Sequence, residues 1–241
     1  MNIPKISLII PAYNEEKYLG FTLDRSIKNS HGKLYEIIVV DNTSTDDTAG
    51  IALLREGVRV VREEHKGITW ARQRGFMEAK GEILAYNDAD SYMSEDWVET
   101  VIEEFSRDKN LASLSGPYIY YNSPKWQQWI VRYIWWNILA LPSYWIVGYM
   151  IIGGNFAIRK SVLEKMGGFD TSIAFYGEDT NIARRASKFG KSKFKVPFIV
   201  YSSNRRLEGQ GLVNTGFLYI INFLSEVILH RPFNKEYKDI R

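Results

Sequence analysis

The chain has no cysteine in its 241 residues, which excludes disulfides and thiolate metal sites. Only three histidines are present, and no histidine metal ligand is evident. The net charge of +3 is small and is not gathered into the basic face that a nucleic-acid binder carries, so no nucleic-acid partner is expected. No Gly-x-Gly-x-x-Gly follows the first strand-like run, which argues against a dinucleotide oxidoreductase. Repeats, low-complexity tracts and composed linkers are missing as well. No basic stretch followed by an apolar segment of signal-peptide length opens the sequence, which predicts a chain that is not secreted and a cytoplasmic location. What is abundant is apolar: 45% of residues are hydrophobic, enough for the core of one large domain, alone or with a small appendage.

The most informative stretch is Ile83-Leu84-Ala85-Tyr86-Asn87-Asp88-Ala89-Asp90-Ser91. An apolar run ends in two carboxylates one residue apart. Alternate residues of a strand point the same way, so Asp88 and Asp90 converge at its carboxyl end as a hard oxygen site for a divalent cation. A solvated turn is the ordinary alternative.

Elsewhere the first half alternates strands with helices. The pattern predicts strands over 5–11, 35–41, 58–62 and 82–88 and helices over 18–30, 45–54 and 68–79, with Ser44 or Thr45 as a cap. Strands joined by single helices imply a doubly wound, mostly parallel sheet. Ligands bind such sheets at the carboxyl ends of the strands, where loops 11–16, 41–44 and 88–91 meet. The second half is less regular. Strands are predicted over 111–120, 156–158 and 194–201, helices over 161–166 and 179–189, and a long apolar helix over 212–230. Residues 126–152 are aromatic-rich and nearly uncharged.

Four ordered segments carry a resemblance. They are Ile10-Pro11-Ala12-Tyr13-Asn14-Glu15-Glu16; Val39-Val40-Asp41-Asn42 with Asp46-Asp47-Thr48; Gly67 to Gly75 with Ala71-Arg72, leading to Gly81-Glu82 and Asp88-Ala89-Asp90; and Gly153-Gly154-Asn155-Phe156 through Gly167-Gly168-Phe169-Asp170 to Gly177-Glu178-Asp179 and Arg185. Over residues 6–201 the sequence closely resembles the family-2 glycosyltransferases of GT-A fold. The resemblance implies transfer of a sugar from a nucleotide-diphosphate sugar, with inversion at the anomeric carbon.

It also implies residue roles. Pro11, Ala12, Tyr13 and Glu15 would cradle the nucleotide, and Asp41 would bind base or ribose. Asp88 and Asp90 would hold Mg²⁺ or Mn²⁺, and Asp88, Ala89, Asp90, Gly154 and Asn155 would bind the nucleotide sugar. Arg72 would reach the diphosphate or, equally, form a structural ion pair with Asp41 or Asp88. Asp179 would be the general base, supported by Glu178 and Arg185, although acids favour the first turn of any helix. Asn42 stands where the family often has a second acid and receives no essential role. Arg205 and Arg206 would form a flap over the diphosphate or a solvated loop.

Acceptor chemistry follows from the acids. A polyprenyl phosphate is already anionic and needs no base, whereas a sugar hydroxyl does. The Glu178-Asp179 pair therefore favours a hydroxyl on a glycan or lipid-linked glycan over a polyprenyl-phosphate acceptor. A spanning helix inside 126–152 would tear the strand at 153–158 from its sheet. A hydrophobic helix near the acceptor cleft is expected instead, in contact with the core or a membrane surface through its tryptophans. The helix from 212, followed by Arg231, Lys235 and Lys238, is a second candidate surface contact. The expected organisation is a GT-A domain over 1–205, with a nucleotide-sugar half (1–110) and an acceptor half (111–205), and a helical extension over 206–241. Two other classes compete: a nucleotidyltransferase, which would need a glycine- and basic-rich loop after the first strand, and a non-catalytic sugar-nucleotide or membrane-binding module.

Overall fold

The computed structural model describes residues 3–234; Lys235 and Lys238 lie outside them. The first half follows the predicted alternation: β1 (Ile6–Ala12), α1 (Leu19–Asn29), β2 (Glu36–Asp41), α2 (Thr48–Leu53), β3 (Val58–Arg62), α3 (Ile68–Glu78) and β4 (Ile83–Asn87). β1, β2 and β4 are mainly apolar runs cut off by polar or glycine-bearing turns, whereas the edge strand β3 carries Arg59 and Arg62. The helix expected from 45 starts later because Asp46 accepts from Thr48 N at 3.0 Å, while Ser44 Oγ is taken by Asn14 N at 3.0 Å.

Beyond β4 come β5 (Ser91–Met93), α4 (Trp97–Arg107), β6 (Leu111–Ser115) and β7 (Tyr118–Tyr120). A helical stretch over 125–147 follows: α5 (Lys125–Trp129), a π-helical segment (Ile130–Ala140) and α6 (Leu141–Val147). The described residues continue through β8 (Asn155–Arg159), α7 (Lys160–Met166), α8 (Glu178–Ala186), β9 (Lys191–Phe194), β10 (Val200–Ser202), α9 (Arg205–Gln210) and α10 (Leu212–Leu229).

Seven strands form the central sheet in the order β3-β2-β1-β4-β8-β6-β9. Only β8 runs against its neighbours β4 and β6; β3, β2, β1 and β4 are mutually parallel, as are β6 and β9. Alternation along β1 splits the core in two. Ile6, Leu8 and Ile10 pack with Leu19 and Leu23 of α1 and Trp97 and Phe105 of α4. Ile9 on the opposite face packs with Ala71 of α3 and Ile182 of α8.

Two expected strands are corrected. Segments 111–120 and 194–201 each divide between the large sheet and a smaller one of order β5-β10-β7. Gly116-Pro117 breaks the first segment and Pro197 the second, because proline cannot donate to a ladder. The two breaks pass so closely that a Cβ on Gly116 would lie 2.1 Å from Phe198 O. Their carbonyls converge on Asn155, whose Nδ2 donates to Pro117 O and Phe198 O at 2.8 Å each.

Candidate active site

The carboxyl ends of β1, β2 and β4 lie side by side, since Ala12 is in register with Asp41 across β1 and β2. The first two loops are laced together. Asn42 N donates to Ala12 O at 2.8 Å, Glu15 N to Thr48 Oγ1 at 2.8 Å, and Thr45 N to Asn14 Oδ1 at 2.8 Å. Asn42, given no role from the sequence, holds the third loop as well. Its Nδ2 donates to the carbonyls of Glu63 and His65, and its Oδ1 accepts from Gly67 N at 2.7 Å.

A cavity of about 300 Å³ opens at this edge. Pro11, Glu15, Arg72, Asp88, Ala89, Asp90, Gly153, Gly154, Glu178, Asp179, Arg205 and Arg206 all line it. The carboxylates at 88 and 90 therefore share one cleft with the acid at 179. Asp88 and Asp90 come from the loop after β4; Glu178 and Asp179 form the first turn of α8, where Gly177 at φ 82° turns the chain into the helix.

Arg72 connects the two acid groups. Its side chain, 3% exposed, pairs with Glu178 Oε1 at 2.6 Å, lies 3.8 Å from Asp88 Oδ1 and donates to Gly153 O at 2.8 Å. The ion-pair reading of Arg72 is thus realised with Asp88 and Glu178, not with Asp41. Two glycines let these groups approach: a Cβ on Gly153 would stand 2.9 Å from Arg72 Nη2, and one on Gly154 would stand 2.3 Å from Asp88 Oδ2.

Burial raises the Glu178 carboxyl to about 8, against the pull of Arg72. It raises Asp179 above the ordinary aspartate value too, against hydrogen bonds from Thr180 and the charge of Arg72. Burial works against the Arg72 charge, but Glu178 and Asp88 outweigh it and its pKa is raised. Among the described residues, Glu178 Oε2 and Arg72 Nε are buried without a hydrogen-bond partner, polar capacity left over for a ligand.

Arg205, expected as a flap, reaches into the site from the start of α9. Its Nε donates to Asp90 Oδ2 at 2.8 Å and its Nη2 pairs with Glu15, while the guanidinium sits 4.7 Å from the Tyr18 ring centroid. Arg206 covers the Phe175 ring at 4.6 Å.

No group of three or more His, Cys, Asp or Glu side chains that could hold a metal occurs among the described residues. Asp88 and Asp90 still fit Mg²⁺ or Mn²⁺, because such ions are held by one or two carboxylates with the rest of the shell from substrate phosphates and water. The space that a Cβ at Gly154 would fill keeps the Asp88 carboxylate accessible from that side.

Several expected residues fall outside the cleft lining. Ala12, Tyr13 and Asp41 stand at the adjoining strand edge: Asp41 Oδ1 accepts from Ser44 N at 3.2 Å, and the Tyr13 hydroxyl accepts from Lys66 at 2.8 Å. Asn155, expected at the donor, is instead fully buried between the sheets, and its Oδ1 also accepts from Trp97 Nε1 at 2.8 Å. Arg185, expected to support the acids, donates instead to Met166 O at 2.5 Å and does not line the cleft; seven residues on from Glu178 it stands about two turns, roughly 10 Å, further along α8. Conversely, Tyr118, Tyr120, Trp135, Trp136 and Tyr219 line the cleft without having been singled out as site residues. The alternation of Tyr118 and Tyr120 was a legible sign of one strand face.

The profile of the family described as "Glycosyl transferase family 2" matches residues 7–167. The chain belongs to this family. Over 212 residues it is 28% identical to the probable glycosyltransferase YdaM of Bacillus subtilis, covering 78% of this chain and 48% of that protein. Over 169 residues it is 32% identical to the dolichol-phosphate mannosyltransferase of Pyrococcus furiosus, covering 66% and 47%. The chain thus spans about half the length of these curated relatives. Among solved structures it resembles the mannosyltransferase PcManGT from Pyrobaculum calidifontis in complex with GDP-Man and Mn²⁺, with TM-score 0.64, 21% identity and coverage of 89% of this chain and 63% of that one. It also resembles glucosyl-3-phosphoglycerate synthase from Mycobacterium tuberculosis in complex with Mn²⁺, UDP and phosphoglyceric acid, with TM-score 0.63, 20% identity and coverage of 93% and 79%. These likenesses show the fold, which is GT-A.

Proposed function

We propose that the protein is an inverting glycosyltransferase that moves a sugar from a UDP-, GDP- or dTDP-sugar to a hydroxyl acceptor on a glycan or lipid-linked glycan. One observation carries this reading: Asp88, Asp90 and Asp179 line a single cleft, with Arg72 tied to Glu178 and close to Asp88. The catalytic domain is taken as 1–205, with donor and acceptor halves meeting near 110, and residues 206–241 as its helical extension.

In this reading Asp179 accepts the proton of the acceptor hydroxyl as its oxygen attacks the anomeric carbon. The new carbon–oxygen bond forms opposite the bond to the diphosphate, which breaks with its electron pair on the leaving oxygen. A burial-raised carboxyl is a stronger base than an ordinary aspartate once ionised, which suits this role. Arg72 holds Glu178 in place, so the acid beside the base does not swing into the acceptor site. Arg205 releases Asp90 when the donor enters and turns its guanidinium to the diphosphate, where a planar fork binds oxygens in pairs. Asp88 and Asp90 would hold Mg²⁺ or Mn²⁺, which when bound supplies positive charge where the leaving diphosphate gains negative charge.

The buried acid pair favours a hydroxyl acceptor over a polyprenyl phosphate. Two relatives, the dolichol-phosphate mannosyltransferase of Pyrococcus furiosus and the glucosyl-dolichyl phosphate glucuronosyltransferase of Haloferax volcanii, support testing lipid-linked acceptors first.

The test is nucleoside diphosphate release from a panel of nucleotide sugars, with and without Mn²⁺. Sugar-dependent, Mn²⁺-dependent release is expected. Pyrophosphate release would make the protein a nucleotidyltransferase, and silence across all donors would leave a binding module. Asp179→Asn is expected to lower transfer to a hydroxyl acceptor by roughly 10²–10⁴-fold with donor binding kept; full transfer by this variant would remove Asp179 from its role.

A further inference from the structure

Large apolar side chains are exposed on two adjoining helical segments. On residues 125–147 they include Trp129, Trp145 and Ile146, and on α10 Val213, Phe217 and Ile228; Ile146 and Val213 are 85% and 86% exposed. The segments touch, since a Cβ on Gly216 of α10 would lie 3.2 Å from the Trp135 ring. Exposed apolar surface of this extent marks an interaction site.

The exposed charges on these segments have one sign. No Asp or Glu occurs between Asp108 and Glu164. The exposed charged residues on 125–147 are Lys125 and Arg132, and Arg231 follows α10. Within α10 the one charged residue, Glu226, is 0% exposed. Tryptophan, bulky aliphatic groups and basic residues without acidic ones match an anionic lipid surface, where indole rings settle at headgroup level and cations meet acidic lipids.

By length and composition α10 could cross a bilayer. Its packing argues for lying flat instead. Glu226 accepts from Asn181 at 3.0 Å and pairs with Arg184 at 2.9 Å, both on α8. Drawing α10 across a membrane would strip a buried carboxylate of its partners, at a cost far above that of an interfacial position.

The cleft reaches the same surface. Leu139, Ile220 and Leu224 line the cavity and are also exposed, so an apolar arm runs from the acids to this face. We propose that residues 125–147 and α10 dock on an anionic phospholipid bilayer, with α10 in the interface plane and the cleft open toward the membrane. An acceptor with a hydrocarbon chain then enters laterally from the lipid. The entry of acceptor rests on the transferase reading; the docking does not.

Co-sedimentation of the full chain with phosphatidylcholine–phosphatidylglycerol vesicles, against phosphatidylcholine alone, tests the docking. Binding is expected to be stronger to the anionic vesicles and weaker in high salt. The double variant Ile146→Asp/Val213→Asp changes two exposed positions outside the cleft lining. It is expected to lower vesicle binding by about tenfold or more, the scale of two apolar groups no longer buried, while acceptor-independent donor hydrolysis stays at the wild-type level. Failure to bind either vesicle, or binding that the double variant leaves intact, would overturn the proposal. So would a dimer in solution that the same variant dissociates, because the face would then join two copies. Vesicle binding without donor hydrolysis would sink the transferase reading alone, and hydrolysis without vesicle binding would sink the docking alone.

Discussion

Gly153 and Gly154 show how single residues set the candidate site. Their missing side chains make room for the Arg72 guanidinium and the Asp88 carboxylate. In Gly154→Ala the new methyl would push Asp88 aside. The expected result is about 10–100-fold weaker Mn²⁺-dependent nucleotide binding, the scale seen when the groups that orient a metal ligand are disturbed, with an unchanged circular dichroism spectrum; calorimetric titration measures it. Asp179 carries a second prediction. Because burial raises its pKa above the ordinary aspartate value, the ionised base is lost as pH falls through that raised value. The acid limb of kcat/KM should therefore lie above the ordinary aspartate range and vanish in Asp179→Asn. Arg72 and Arg205 were named from sequence, with Asp88 as one of two alternative ion-pair partners of Arg72, but Glu178 and the partners of Arg205 were not. Arg205 meets a glutamate 190 positions away, and no local pattern encodes such a pairing.

At the level of elements, Asn155 and Glu104 tie layers together. Asn155 bonds Trp97 of α4 and the carbonyls at both points where the chain changes sheets. Asn155→Leu would leave several buried polar groups without partners, at about 1–3 kcal/mol each, so urea unfolding should show a loss of about 3–5 kcal/mol. Glu104, on α4, is 4% exposed and binds Lys193 and Lys195 at 2.7 and 3.0 Å. Burial alone would raise its pKa, yet the two lysines pull it below the ordinary glutamate value. A lowered carboxyl stabilises the fold above its unfolded pKa, and that contribution fades as pH falls through the folded value. Stability measured by urea from neutral pH downward should therefore drop less steeply below pH 4.5 in Glu104→Gln than in the wild type. Neither β5 nor α4 was assigned from sequence. Three residues are too few to show a strand period, whereas Trp97, Val98, Val101 and Phe105 do carry a helical one.

For the whole molecule, the junction between α10 and α8 joins the extension to the domain that carries Asp179. Glu226→Ala leaves Arg184 without its buried partner, and breaking such a pair costs about 3–5 kcal/mol, to be read from urea unfolding. A nucleoside diphosphate with Mn²⁺ should raise Tm with the logarithm of ligand concentration above Kd, as binding to the native state alone requires, and chelation should reverse the shift. The sequence by itself determined the apolar strands, the loops at their carboxyl ends, the acids at 88, 90 and 179, and the family. Those signals are local, written in periodicity, turn residues and short ordered motifs. Only the tertiary structure decided that β8 enters the sheet in reverse, that two predicted strands divide between sheets, that Asn155 holds their crossing, and that Arg205 lies on Asp90. Each of these depends on which distant segments bury their apolar faces together, because backbone and charge partners are chosen by that packing and not by neighbours along the chain.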